Sequence, residues 1–170
     1  MQSVISISVG LVLCLVGVLF MLPSQKVVER KALVKGSAQK VFKLLSSSRA
    51  YQEFNPYKDT DPALKIAHSG PEEGVGSAFA FEGKEGKGTQ TIVALEKDKW
   101  VKVEIDLGPM GKPTTTFSLT PKGEQTEVTW TTTSRFGYNL VGRVAGLFLE
   151  GMLGKTYERG LKNLNTALKA

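Results

Sequence analysis

His68 is the only histidine in the chain, and histidine is the side chain whose ordinary pKa lies nearest neutrality. It alternates with Leu64 and Ile66, which puts all three on one face of a strand. An inward histidine in a cavity could serve as a general acid or base. The same position suits a hydrogen-bonded residue of the core or rim. The carboxylates that could partner it, Glu82 and Glu104, fall on outward positions. Acid/base work would therefore lack its second group. The hydroxyl of Tyr157 is the other candidate polar handle in an apolar interior.

Other chemistries fare worse. Cys14 is the only cysteine, which excludes a disulfide framework and a multi-cysteine zinc site. A single histidine excludes a His-rich metal centre, so no metal is assigned. Leu149 to Thr156 ends like a phosphate loop, but Leu149 stands where the first glycine is required and no strand precedes it. Gly86-Lys87-Gly88 lacks a third glycine and reads as a hairpin turn. Gly-x-Ser-x-Gly does not occur, so no nucleophile elbow is present. No cofactor is assigned either.

The candidate residues sit on elements whose period is plain. Positions 27–35 read as a strand with Val28, Ala32 and Val34 on one face. Ser37 caps a short helix carrying Val41, Phe42, Leu44 and Leu45. A second helical turn over 49–54 stops at Asn55-Pro56. Strands follow at 64–69, 75–82, 89–95, 100–107, 114–120 and 126–134, with glycine- and charge-rich turns between them. Val75, Ser77, Phe79, Phe81, Val101, Val103, Ile105, Leu107, Phe117, Leu119, Val128 and Trp130 point inward. The spacing then changes to three and four, with Leu140, Val144, Leu147, Phe148, Tyr157, Leu161, Leu164 and Leu168. This predicts one long helix, with a kink near 151–154 where glycines gather. The fold class is α+β, a seven-stranded antiparallel sheet wrapped round a long C-terminal helix. Large inward residues alternate with small ones, which predicts a hollow walled by Phe79, Phe81, Ile105, Phe117, Trp130, Phe148 and Tyr157.

The N-terminal part is different. Val4 to Leu22 is an unbroken run without a charged side chain, long enough at ~1.5 Å per residue to cross a hydrocarbon layer. No basic residue precedes it and Leu22-Pro23-Ser24-Gln25 is a poor cleavage site, so an uncleaved single-pass transmembrane helix fits better than a signal peptide. Positions 1–25 are therefore read as a membrane anchor and 26–170 as one folded domain. Seven basic residues and only Glu29 occupy 26–49. By the positive-inside rule they place that domain in the cytoplasm, and they attract anionic lipid. Base-stacking aromatics are not interleaved with them, so nucleic acid is set aside.

Several stretches together carry a family likeness. They are Val28-Glu29-Arg30 leading into Ser37 to Leu45, then Phe54-Asn55-Pro56-Tyr57, then Gly70 to Ser77, then Gly86 to Thr89. Thr116 to Leu119, Thr126 to Trp130 and the helix from Leu147 to Leu168 complete them. The chain resembles the START-like helix-grip (SRPBCC) superfamily, in its polyketide cyclase/dehydrase and lipid-transport group, over roughly 27–168. Where many relatives carry tryptophans beside the Asn-Pro turn, this chain has Tyr51 and Phe54. The resemblance implies a helix-grip fold and an apolar small molecule or lipid held between sheet and helix. A ligand-binding protein is favoured over an enzyme. The other readings are a polyketide cyclase/dehydratase-like enzyme, with His68 as its candidate catalytic residue, and a non-catalytic interaction domain. No oligomeric state is implied.

Overall fold

The computed structural model describes residues 17–169. Residues 4–16 of the expected membrane span lie outside the described residues. Within the described residues, no helix is long and apolar enough to cross a membrane.

The elements run β1 (Gln25–Val34), α1 (Ala38–Leu45), a 3-10 turn (Ala50–Glu53), α2 (Pro56–Thr60), β2 (Lys65–Ser69), β3 (Ala78–Gly83), β4 (Gly86–Glu96) and β5 (Trp100–Asp106). They continue with a 3-10 turn (Gly108–Met110), β6 (Thr114–Lys122), β7 (Gln125–Arg135), α3 (Leu140–Gly146) and α4 (Leu149–Ala167). One seven-stranded sheet has the order β1-β7-β6-β5-β4-β3-β2, and every pairing is antiparallel. The inward face follows from the register. Val28 lies opposite Thr132, and Arg30 opposite Trp130. Trp130 in turn lies opposite Phe117, which lies opposite Val101.

Local chemistry sets the boundaries. The Ser37 hydroxyl accepts from the Lys40 N–H and starts α1. The Asn55 side chain accepts from the Tyr57 N–H, and Pro56 opens α2 where its missing N–H costs nothing. The strand expected from 75 begins only at Ala78. Gly74 and Gly76 have φ of 85° and 90°, and Gly76 donates instead to the carbonyl of Ile92.

The long helix expected over 140–168 is broken, but not at 151–154. The break falls at Leu147-Phe148. There the N–H of Leu147 bonds to Val144 and that of Phe148 to Ala145, each a three-residue step. This tight turn re-aims α4 across the sheet.

α4 is held to the sheet in two ways. Arg30, on the inward face of β1, donates to Glu158 (2.8 Å) and Glu150 (2.7 Å). Further along, Gly160 lets the helix backbone approach the indole of Trp130. A Cβ at Gly160 would lie 2.6 Å from Trp130 Cζ3 and 3.2 Å from Pro56 Cγ. Tyr157, Leu161 and Leu164 complete the buried face of the helix.

Candidate functional site

The inward face of the sheet has two unlike halves. Under α4, Phe117, Trp130 and Tyr157 are buried, and Phe79 joins them from β3. The ring of Trp130 touches those of Phe117 and Tyr157, whereas Phe79 stacks on Tyr51 at 5.6 Å. Trp130 stacks on Tyr157 at 4.5 Å between centroids, with planes 13° apart. Phe117 meets Trp130 at 4.7 Å. Under α4 the space expected among Phe117, Trp130 and Tyr157 is thus taken by their own rings. Two concave regions among the described residues lie elsewhere. One, of about 440 Å³, is lined by Lys43, Leu44, Ser47, Ala50, Glu53, Glu72 and Glu73. The other, of about 100 Å³, lies beside Pro23, Lys26 and Arg143.

The second half of the face is less covered. Ile66, His68, Phe81, Gln90 and Ile105 are half-buried. Gln90 lies opposite Phe79 on one side and Ile105 on the other, so it shares their inward face. His68 lies opposite Phe79, as its alternation with Ile66 predicts. Phe81 lies over Gly88, where a Cβ would stand 2.8 Å from the end of the ring. This row forms a rim beside the sealed aromatic stack. Phe148 does not join it. It is 64% exposed on the outer side of the α3–α4 turn, because the break there rotates it away from the sheet.

Polar groups are few and specific. The Tyr157 hydroxyl donates to Thr132 Oγ1 at 2.7 Å, and Thr132 meets the Thr115 hydroxyl at 2.6 Å. The Trp130 Nε1–H is buried and has no acceptor among the described residues. A buried donor left unpaired costs about 1–3 kcal/mol. It is therefore a group for which a ligand oxygen would compensate. His68 Nδ1 lies 3.3 Å from the Ser48 hydroxyl. Desolvation, helped by nearby Arg49, moves the His68 pKa below its ordinary value, which favours a neutral imidazole. No group of three or more potential metal ligands occurs among the described residues.

Three tyrosines converge on this interior. Burial pushes the Tyr157 phenol up to about 12, with its hydrogen bonds to Thr132 and Thr115 opposing the shift. Burial raises Tyr51 and Tyr57 as well, and a charge on one phenol works against charge on the others. Each folded-state pKa lies above its unfolded value near 10. The neutral phenols thus stabilise the fold fully below that pH, and the contribution is lost as pH rises from about 10 through 12. In a Tyr138→Phe protein, which lacks the exposed phenol, tyrosinate absorbance at 295 nm should therefore rise cooperatively with the loss of secondary structure in that window. Ionisation of these phenols near pH 10 with the fold intact would contradict their burial.

Sequence reasoning missed Gln90, Arg30 and the idle indole donor. The first two were available from period two, since Arg30 alternates with Val28 and Ala32. The indole donor was not, because its partners depend on tertiary packing.

Comparison with known proteins places this geometry. A family model described as polyketide cyclase / dehydrase and lipid transport matches residues 25–169. No curated protein matches the chain. Protein MLL2253 from Mesorhizobium loti has a similar structure, with a TM-score of 0.59 and 18% identity, over 85% of this chain and 97% of that one. The di-domain ARO/CYC StfQ of the steffimycin biosynthetic pathway gives a TM-score of 0.62 at 13% identity, over 85% of this chain and 51% of its own. Norcoclaurine synthase from Thalictrum flavum, in complex with dopamine and hydroxybenzaldehyde, gives 0.61 at 18% identity, over 81% of this chain and 85% of its own. At these identities the likeness is one of fold.

Proposed function

The chain belongs to the polyketide cyclase / dehydrase and lipid transport family, and from that membership we propose that it binds an apolar small molecule or lipid between its sheet and α4. The supporting observation is the buried indole N–H of Trp130, which has no acceptor in an aromatic interior. A ligand entering past the half-buried rim of Ile66, Phe81, Gln90 and Ile105 would displace the ring stack. It would bury apolar area at ~25 cal/mol per Å² and offer an oxygen to Trp130. StfQ and norcoclaurine synthase bear names of enzymes of aromatic chemistry on this fold, which agrees with an aromatic or extended apolar ligand.

The anchor belongs to the same reading. Residues 4–22 hold the domain at a bilayer, with the domain on the cytoplasmic side, so an apolar ligand need not cross water.

Titration with a fatty acid, a quinone and an aromatic polyketide tests this by thermal unfolding. Ligand at a hundred times its Kd stabilises the fold by about 2.7 kcal/mol, which raises Tm by roughly 5–10 °C for a domain of this size. No shift with any of the three classes would remove the reading.

A cyclase- or dehydratase-like activity is the second reading, favoured by the Ser48–His68 pair on the inward rim. It expects turnover of a bound substrate to fall at least about a hundredfold in His68→Ala, the ordinary contribution of a general base. Turnover that survives would clear His68 of the role.

A further inference from the structure

The outer side of the α3–α4 turn carries apolar side chains with no partner. Val141, Val144, Phe148 and Met152 recur at three and four, and they are exposed together with Tyr138 and Leu147. Such a stripe is ordinarily turned to a core. Here the protein-facing side of α3 is occupied by Arg143 instead. That arginine is only 8% exposed and spends its guanidinium on backbone. Nη1 donates to the carbonyls of Phe20 (2.7 Å) and Leu22 (2.9 Å). Nε and Nη2 donate to the carbonyl of Gly137, and the guanidinium lies 5.6 Å from the centre of the Phe20 ring.

Two things follow from that bond pattern. The carbonyl of Phe20, within the helical residues 17–21, and that of Leu22 just beyond them accept from a side chain of α3. The end of the apolar run is thereby tied to the same short helix whose far side is greasy. The described end of the run, residues 17–22, therefore lies beside α3. The one acidic residue from Phe136 to Met152 is Glu150, whose carboxylate is taken by Arg30 and Lys26 of β1, and Lys155 stands exposed one turn beyond Met152. An apolar stripe whose one neighbouring acid is paired with β1, flanked by a cation and an exposed tyrosine, fits the boundary between headgroups and acyl chains.

We propose that the α3–α4 turn is a second membrane contact, lying in the lipid interface beside the anchor and fixing the orientation of the domain on the bilayer. This rests on the reading of residues 4–22 as an anchor. It adds that Phe148 and Met152 enter the lipid, and that Arg143 couples the anchor to the folded domain.

The test uses the full chain with Cys14→Ser, reconstituted in vesicles of phosphatidylcholine and phosphatidylglycerol. A bimane label is placed at Phe148→Cys, at Met152→Cys, or at Lys97→Cys in the exposed β4–β5 turn at the opposite end of the sheet. Lipids with a shallow nitroxide should quench the label at 148 or 152 at least about twofold more than at 97, since interfacial helices sink their apolar face ~5–10 Å. Equal quenching at all three sites, with the protein retained after an alkaline carbonate wash, overturns the contact and leaves the anchor standing. Release of the protein by that wash overturns the anchor and the contact with it. A label at 148 shielded from aqueous iodide yet untouched by the lipid nitroxide would show a protein cover, and would also overturn the proposal.

Discussion

Gly160→Val should destabilise the domain by about 3 kcal/mol, while Gly151→Ala in the same helix should stabilise it by up to about 1 kcal/mol. The two glycines share an element and differ in what faces them. A Cβ at Gly160 would stand 2.6 Å from Trp130 Cζ3 and 3.1 Å from Cη2, and an indole already stacked on Tyr157 has nowhere to retreat. A Cβ at Gly151 meets nothing within 4 Å, so only the gain in helix propensity remains. Valine adds branching that a helix disfavours. Urea midpoints with unchanged m-values would report both effects. A Gly160→Val protein as stable as the parent would mean that α4 does not lie against the sheet at Trp130.

Trp130→Ala is expected to cost about 3–5 kcal/mol, the usual range for emptying a large aromatic site. The ring it removes touches Tyr157 and Phe117 and stands opposite Gly160, so three elements lose a shared surface. Trp130→Phe separates packing from hydrogen bonding. It keeps an aromatic ring and deletes an N–H that has no acceptor. Its loss of stability should stay within about 1.5 kcal/mol, as for a size-tolerant swap. If an oxygen of the ligand accepts from that N–H, the same variant should bind about three- to tenfold more weakly, the worth of one hydrogen bond. Chemical unfolding and ligand titration on the two variants would check both halves. A stable Trp130→Phe protein that binds its ligand undiminished would leave the indole donor without the role assigned to it.

Much of the fold could be read from periodicity. Strands such as Trp100–Asp106 alternate cleanly because one face is buried and the other is wet. The inward placement of His68 and the buried Tyr157 followed from the same rule. The α3–α4 break did not, because Leu147 and Phe148 keep near-helical backbone and no proline marks the change. Phe148 was misplaced for a related reason. A stripe at three and four says that a helix face avoids water, but not whether protein or lipid covers it. The filled interior was also hidden. Alternation of large and small residues fixes which side chains point inward. Whether Trp130 leaves space or stacks on Tyr157 depends on how closely Gly160 lets the helix approach.

The central claim is that the sheet–helix interior opens to an apolar ligand at Trp130. Fluorescence of the Trp100→Phe protein, in which Trp130 is the remaining tryptophan, measures this most directly. A quinone titrated into it should quench that emission saturably at one ligand per chain, because the ring stack must part to admit the molecule. Emission that stays unchanged until the quinone saturates the solution would mean the stack never opens, and that the aromatic interior is core alone.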